Sequence, residues 1–150
     1  ETVLKALELS NQRGVLLNGW GCLGGVGLPD SVIEIDSAPH SWLFPRMAAV
    51  VHHGGAGTTA SVLRAGKPSV VVPFFVDQPF WGRRVSELGV GPKPIPFKEL
   101  SAERLATSIN IAVNNTEIQV NATELSEKIR AEKGVANAVE QIENLLSQVR

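Results

Sequence analysis

A strand-sized apolar stretch, Ala49-Val50-Val51-His52, runs straight into His53-Gly54-Gly55-Ala56-Gly57-Thr58-Thr59 and then into a helical pattern. That order of residue types suits an anion. Glycines let a backbone turn tightly and bring its N–H groups close to a ligand. A helix N-terminus adds roughly half a unit of positive charge and N–H groups with no intrahelical partner. His53, Gly55, Gly57, Thr58 and Thr59 are therefore the candidates for a diphosphate cradle, His53 as an imidazole donor. The lysine of a P-loop is absent, so nucleotide hydrolysis is not implied. A ligand-free strand-to-helix turn is the competing reading, but Gly-Gly-x-Gly-Thr-Thr carries more glycine and hydroxyl than a turn requires.

A second group stands at Pro73-Phe74-Phe75-Val76-Asp77-Gln78-Pro79. The acid and the amide side by side offer acceptors and donors, which suits vicinal sugar hydroxyls. Asp77 could equally cap the helix that starts near Pro79, and on the residues alone the two readings are even. Gly19-Trp20-Gly21-Cys22-Leu23-Gly24 matches the dinucleotide pattern G-x-G-x-x-G, but Gly25, Gly27 and Pro29 follow it and no helix opens at the third glycine. A loop at the carboxyl end of a strand is the better reading, and such a loop can still line a ligand crevice. His40, His52 and His53 fail as a metal site. Neighbours on a strand point to opposite faces, and too few further ligands are at hand. By the same alternation, His52 is expected to matter less to a bound anion than His53.

These groups need a scaffold that brings strand ends together. Short apolar strands are expected at Val15–Asn18, Val32–Ile35, Ala49–His52 and Ser69–Val72, separated by loops and helices. Helices are expected at residues 2–12, 41–47, 58–65 and 79–88, with Gly14, Gly66 and Gly89 as stop signals. That alternation predicts an α/β fold, a Rossmann-like parallel sheet flanked by helices. Val90–Phe97, with three prolines, reads as an edge strand or a loop. From Ser101 the pattern is a helical C-terminal tail: Ser101 caps one helix, Thr116 with Gln119 forms a capping box for the next, and Gly134 breaks the run. The last helix carries Val135, Ala138, Val139, Ile142, Leu145, Leu146 and Val149, an apolar stripe that must pack on something.

The whole chain agrees with one globular domain, residues 1–150. Its 43% apolar and 19% charged composition, with 14 Lys plus Arg against 15 Asp plus Glu, excludes a disordered chain and a nucleic-acid binder with a basic footprint. No apolar run approaches the ~18 residues of a membrane span. The single cysteine, Cys22, fits a reducing, cytoplasmic setting. Glu1 opens directly into a helical pattern, so the domain is expected to be part of a longer protein.

Several stretches together resemble one family. Ala38-Pro39-His40-Ser41-Trp42-Leu43-Phe44-Pro45-Arg46-Met47, then His52 to Thr59, Arg64-Ala65-Gly66-Lys67-Pro68, and Pro73 to Gly82 resemble the sterol 3-beta-glucosyltransferases, UDP-sugar-dependent enzymes of the two-domain GT-B fold. The resemblance is dense from Gly19 to about Phe97 and covers only the pattern in the tail. It implies the C-terminal, donor-binding half of an inverting glycosyltransferase. His53, Gly57 and Thr58 match diphosphate contacts; Asp77 and Gln78 match the pair that holds the sugar hydroxyls. Ala38 matches a backbone contact to uracil, and His40 stands in place of a family glutamine.

Two positions depart from plant members. Ser37 stands where they stack a tryptophan on uracil, and Ser61 where a glutamate holds the ribose; Trp20 is the candidate replacement for the stacking face. The resemblance further implies UDP-glucose as substrate, no cofactor or metal, and a sterol or other lipid acceptor. That acceptor and the catalytic base would lie on an N-terminal domain outside this chain, the full-length protein being cytoplasmic or at a membrane surface. The alternatives are transfer of another sugar to a natural product or peptidoglycan precursor, and a non-catalytic nucleotide-sugar-binding module.

Overall fold

The computed structural model describes residues 1–17 and 27–148. Its elements are α1 (Thr2–Ser10), β1 (Gly14–Leu17), β2 (Val32–Ile35), α2 (His40–Leu43) with a 3-10 turn at Phe44–Arg46, β3 (Val50–His52), α3 (Ala56–Arg64), β4 (Ser69–Val71), α4 (Gln78–Glu87), a 3-10 turn at Phe97–Glu99, α5 (Ala102–Asn114), α6 (Thr116–Ala131) and α7 (Gly134–Gln148). The α/β alternation read from the sequence is the architecture found. Boundaries moved for local reasons. α1 stops at Ser10 because Asn11 adopts a left-handed conformation, φ 52°, and its N–H and that of Gln12 bond back to Glu8 and Leu7. The second tail helix is capped by Asn115, whose side chain accepts from the Ile118 N–H, one residue ahead of the expected Thr116.

The strands form two parallel pairs. β1 lies beside β2 with Gly14 opposite Val32, and β3 beside β4 with Val50 opposite Ser69 and His52 opposite Val71. The second pair positions the chemistry. β3 and β4 run the same way, so the loops leaving their carboxyl ends, His53–Gly55 and Val72–Asp77, emerge side by side.

β4 is held because both of its faces are covered. Val70 and Val72 pack with Ala6, Leu7, Val32, Leu105 and Ile109 on one side. Val71 packs with Leu63, Val85, Val90 and Ala122 on the other. Burying each such valine contributes about 1.5–3 kcal/mol. The proline-rich segment after α4 runs along the free edge of β4, with Ser69 N–H bonded to Val90 and the N–H groups of Ile95 and Phe97 bonded to Val71 and Pro73. The approach is closest at Gly91, where an added methyl would sit 2.0 Å from the Ser69 carbonyl oxygen. Only glycine fits there.

α7 departs from expectation. Its apolar stripe exists, but Val135, Val139, Ile142, Leu145 and Leu146 are all exposed, and no residue of the helix is buried among the described residues.

Candidate functional site

β3 ends at His52, the chain turns through Gly54 and Gly55, and α3 begins at Ala56. Gly54 is buried at φ 89°, a left-handed conformation that residues with a Cβ rarely adopt. A methyl there would also press on Val71 Cγ1 at 2.7 Å and lie 3.1 Å from the Gln78 carbonyl oxygen. The β3 turn and the start of α4 thus pack closely enough to leave no room for a methyl between them. The two groups singled out in the sequence meet.

On the turn itself, Gly55 is the N-cap of α3 with no side-chain cap, so the N–H groups of Ala56, Gly57 and Thr58 have no partner within the helix. The first intrahelical bond is Thr59 N–H to the Gly55 carbonyl. The exposed His53 ring folds back over Gly55, where a methyl would meet its Nε2 at 2.5 Å. A methyl at Gly57 would meet nothing within 4 Å, so no internal contact calls for glycine there. Thr58 is half-buried. Thr59 differs from its expected place in the cradle. It is buried, and its hydroxyl donates to the Gly55 carbonyl, so it braces the turn from behind instead of facing outward.

His52, given the lesser role in the sequence, carries the most hydrogen bonding of the pair. Its Nδ1 accepts the Gly54 N–H at 3.1 Å, and its Nε2 lies 2.5 Å from the Ser69 hydroxyl. An N–H donor at Nδ1 fixes the tautomer, so Nε2 carries the proton and donates to Ser69. Burial, with smaller contributions from the charges of His53 and His40, pushes the His52 pKa down to about 4. The ring is neutral at ordinary pH. Its signal in the sequence was a histidine two residues before a glycine, the spacing at which a side chain can accept an i+2 N–H.

Beside the turn, Asp77 occupies the N-cap of α4 but makes no capping bond. The cap reading of Asp77 does not hold: its Oδ2 accepts from the Trp81 indole at 3.0 Å, and the carboxylate is exposed. Gln78 Oε1 accepts from the Phe74 N–H at 2.8 Å and the Phe75 N–H at 3.3 Å, which leaves the amide NH₂ as the donor it can present. Those bonds hold a strained loop. Val76, β-branched and 82% exposed, sits at φ 59°. Trp81 as the partner of Asp77 was legible only as an i+4 spacing.

The base-binding candidates are partly placed. Ala38 packs at the edge of the cluster formed by Leu43, Phe44, Val50 and Val62, and the His40 ring stacks on Phe44 with centroids 4.3 Å apart. Trp20, like the rest of the glycine-rich loop from Gly19, lies outside the described residues. Among the described residues no group of three or more His, Cys, Asp or Glu could hold a metal ion. No helix is long and apolar enough to cross a membrane, again among the described residues.

Comparison with known proteins identifies the family and the fold. Residues 23–145 match the family model for the erythromycin biosynthesis protein CIII-like C-terminal domain. Two sterol 3-beta-glucosyltransferases of Arabidopsis thaliana are 49% and 46% identical over 93% of the chain, which spans only 22% and 23% of their lengths. The O-mycaminosyltylonolide 6-deoxyallosyltransferase of Streptomyces fradiae is 47% identical over 77% of the chain and 28% of its own length. Among solved structures, glycosyltransferase VinC in complex with dTDP superposes with a TM-score of 0.86 at 23% identity, over 99% of this chain and 38% of that one. The glycosyltransferase of kitacinnamycin superposes at 0.82 and 25% identity, over 93% and 38% of the two chains. With the fold of the C-terminal domain of GT-B glycosyltransferases, this chain belongs to the erythromycin biosynthesis protein CIII-like C-terminal domain family.

Proposed function

We propose that the chain is the donor-binding domain of an inverting, UDP-sugar-dependent glycosyltransferase that transfers glucose to a sterol or other lipid hydroxyl. The observation that carries the reading is the close approach of Gly54 to Gln78, which brings a glycine-rich helix start beside an acid–amide pair. The space at Gly57 among the described residues, and N–H groups of Ala56–Thr58 with no partner within the helix, suit a diphosphate approaching the first turn of α3. His53 would donate to the same phosphates. Asp77 would accept from sugar hydroxyls, and the Gln78 NH₂ would donate to them. Sterol glucosyltransferases at 46–49% identity support the acceptor class.

In the reaction, a base on the N-terminal domain takes the proton of the acceptor hydroxyl, whose oxygen attacks the anomeric carbon. The bond from that carbon to the diphosphate oxygen breaks, and UDP leaves with the electron pair. The α3 N-terminus and His53 stabilise the growing charge on the diphosphate, and interactions that strengthen as charge develops are those that accelerate the step. The base is not in this chain, so the domain alone binds the donor and turns nothing over.

A second reading has its own support. The deoxyallosyl-transferring relative is nearly as similar, and the VinC structure holds dTDP. Ser37 and Ser61 replace the tryptophan and glutamate that, by the resemblance, hold uridine in plant members. Calorimetric titration with UDP, dTDP and NAD separates these readings. UDP binding without NAD binding is expected; preference for dTDP would move the domain to the second reading. NAD binding alone would return the function to the glycine-rich loop.

A further inference from the structure

We propose that His52 is a positioning residue for the diphosphate site, its imidazole holding the Gly54 peptide so that the His53 ring and the N–H groups of Ala56–Thr58 face one anion. The proposal rests on the donor reading of the turn given above. Gly54 is buried, and its N–H is directed into His52 Nδ1. Without that acceptor the N–H would be orphaned, and the cheapest relief is rotation of the peptide toward water. Such a rotation propagates directly into Gly55, which supplies both the N-cap of α3 and the surface on which His53 lies.

The ring is itself held at its other end. Nε2 donates to the hydroxyl of Ser69, which is 0% exposed at the start of β4. His52 therefore ties the end of β3, the turn and the neighbouring strand into one rigid unit. The His52 carbonyl also accepts the Val72 N–H at 2.9 Å, where the chain leaves β4 toward Asp77 and Gln78. Residue 52 is thus bonded to both halves of the site. A neutral imidazole does this well, because it accepts at one nitrogen and donates at the other in a fixed plane. Burial keeps it neutral at ordinary pH.

Two variants separate positioning from bulk stability. Asparagine can accept an N–H two residues ahead, as in an Asx turn, whereas valine keeps the strand and offers no acceptor. UDP and UMP are titrated into the full-length wild type, His52→Asn and His52→Val. His52→Val is expected to lose about tenfold or more in UDP affinity but less than about threefold for UMP, while His52→Asn keeps both within about threefold. An unchanged UDP-to-UMP ratio in His52→Val would overturn the positioning role, as would an asparagine variant as weak as the valine one. If His52→Val does not fold, the ring ¹⁵N shifts of wild-type His52 decide: an unprotonated Nδ1 with a protonated Nε2 supports the brace, and the opposite tautomer overturns it. A wild type that binds neither UDP nor dTDP is a different failure. It overturns the donor reading, and with it the ligand assigned to the brace.

Discussion

Asp77 sits at the start of α4 without capping it, and that changes what its replacement should do. In Asp77→Asn the amide oxygen can still accept from the Trp81 indole, so the variant is expected to keep thermal stability and UDP affinity near wild type. If Asp77 accepts from the sugar as proposed, with UDP-glucose the amide replaces one acceptor by a donor and leaves a mismatch costing roughly 1–3 kcal/mol. Paired titrations with UDP and UDP-glucose show the split; equal affinities for both ligands in the variant and a preference in wild type confirm it, and an unchanged preference refutes it. Gln78 needs a subtler change, because its Oε1 holds the Phe74 and Phe75 N–H groups. Gln78→Ala should loosen that loop and lower stability by about 1 kcal/mol. Gln78→Glu keeps the acceptor and removes only the NH₂ donor, so it should weaken UDP-glucose while the loop and the melting temperature survive.

The unit of β3, its turn and α3 behaves as one element, and glycine geometry decides whether it forms. Gly54→Ala places a methyl on Val71 Cγ1 and forces alanine to φ 89°. A stability loss of about 1–3 kcal/mol is expected, read as a shift in the urea midpoint. A neutral effect would mean that the turn is not held as described. At this scale much was legible. The strand, the glycine-rich turn and the helix start followed from residue type alone, because periodicity and backbone freedom are local properties. What the sequence could not show was direction. Whether Thr59 faces the ligand or the core, whether Gln78 offers its oxygen or its nitrogen, and that His52 reaches Ser69 all depend on neighbours 4 to 17 residues away. The alternation rule put His52 on the far face of β3, but a side chain leaving that face at a strand end can still hold the turn that follows it.

For the whole molecule, β4 packed on both faces is the frame, and two features load it differently. Unfolded histidine takes a proton near pH 6.5, whereas folded His52 does so only near 4. Between those values the unfolded state binds more protons, so stability falls as pH drops from about 6.5 to about 4, by on the order of 2–3 kcal/mol. Denaturation midpoints of wild type and His52→Asn at pH 7 and pH 4.5 test this, and the variant should lose less on acidification. α7, in contrast, contributes no buried residue. Deleting residues 134–150 is expected to move the melting temperature of the rest by only about 2 °C, since surface changes rarely exceed ~0.5 kcal/mol. The periodic stripe on α7 was readable in the sequence; that it stays exposed among the described residues was not. Whether a nucleoside diphosphate sits on the turn after β3, as proposed, is read from calorimetric titration of UDP into wild type and His53→Ala. Binding by the wild type and a loss of about 1.5–3 kcal/mol in the variant are expected, the scale of a hydrogen bond to a charged group. Equal affinities in two folded proteins would contradict the proposal.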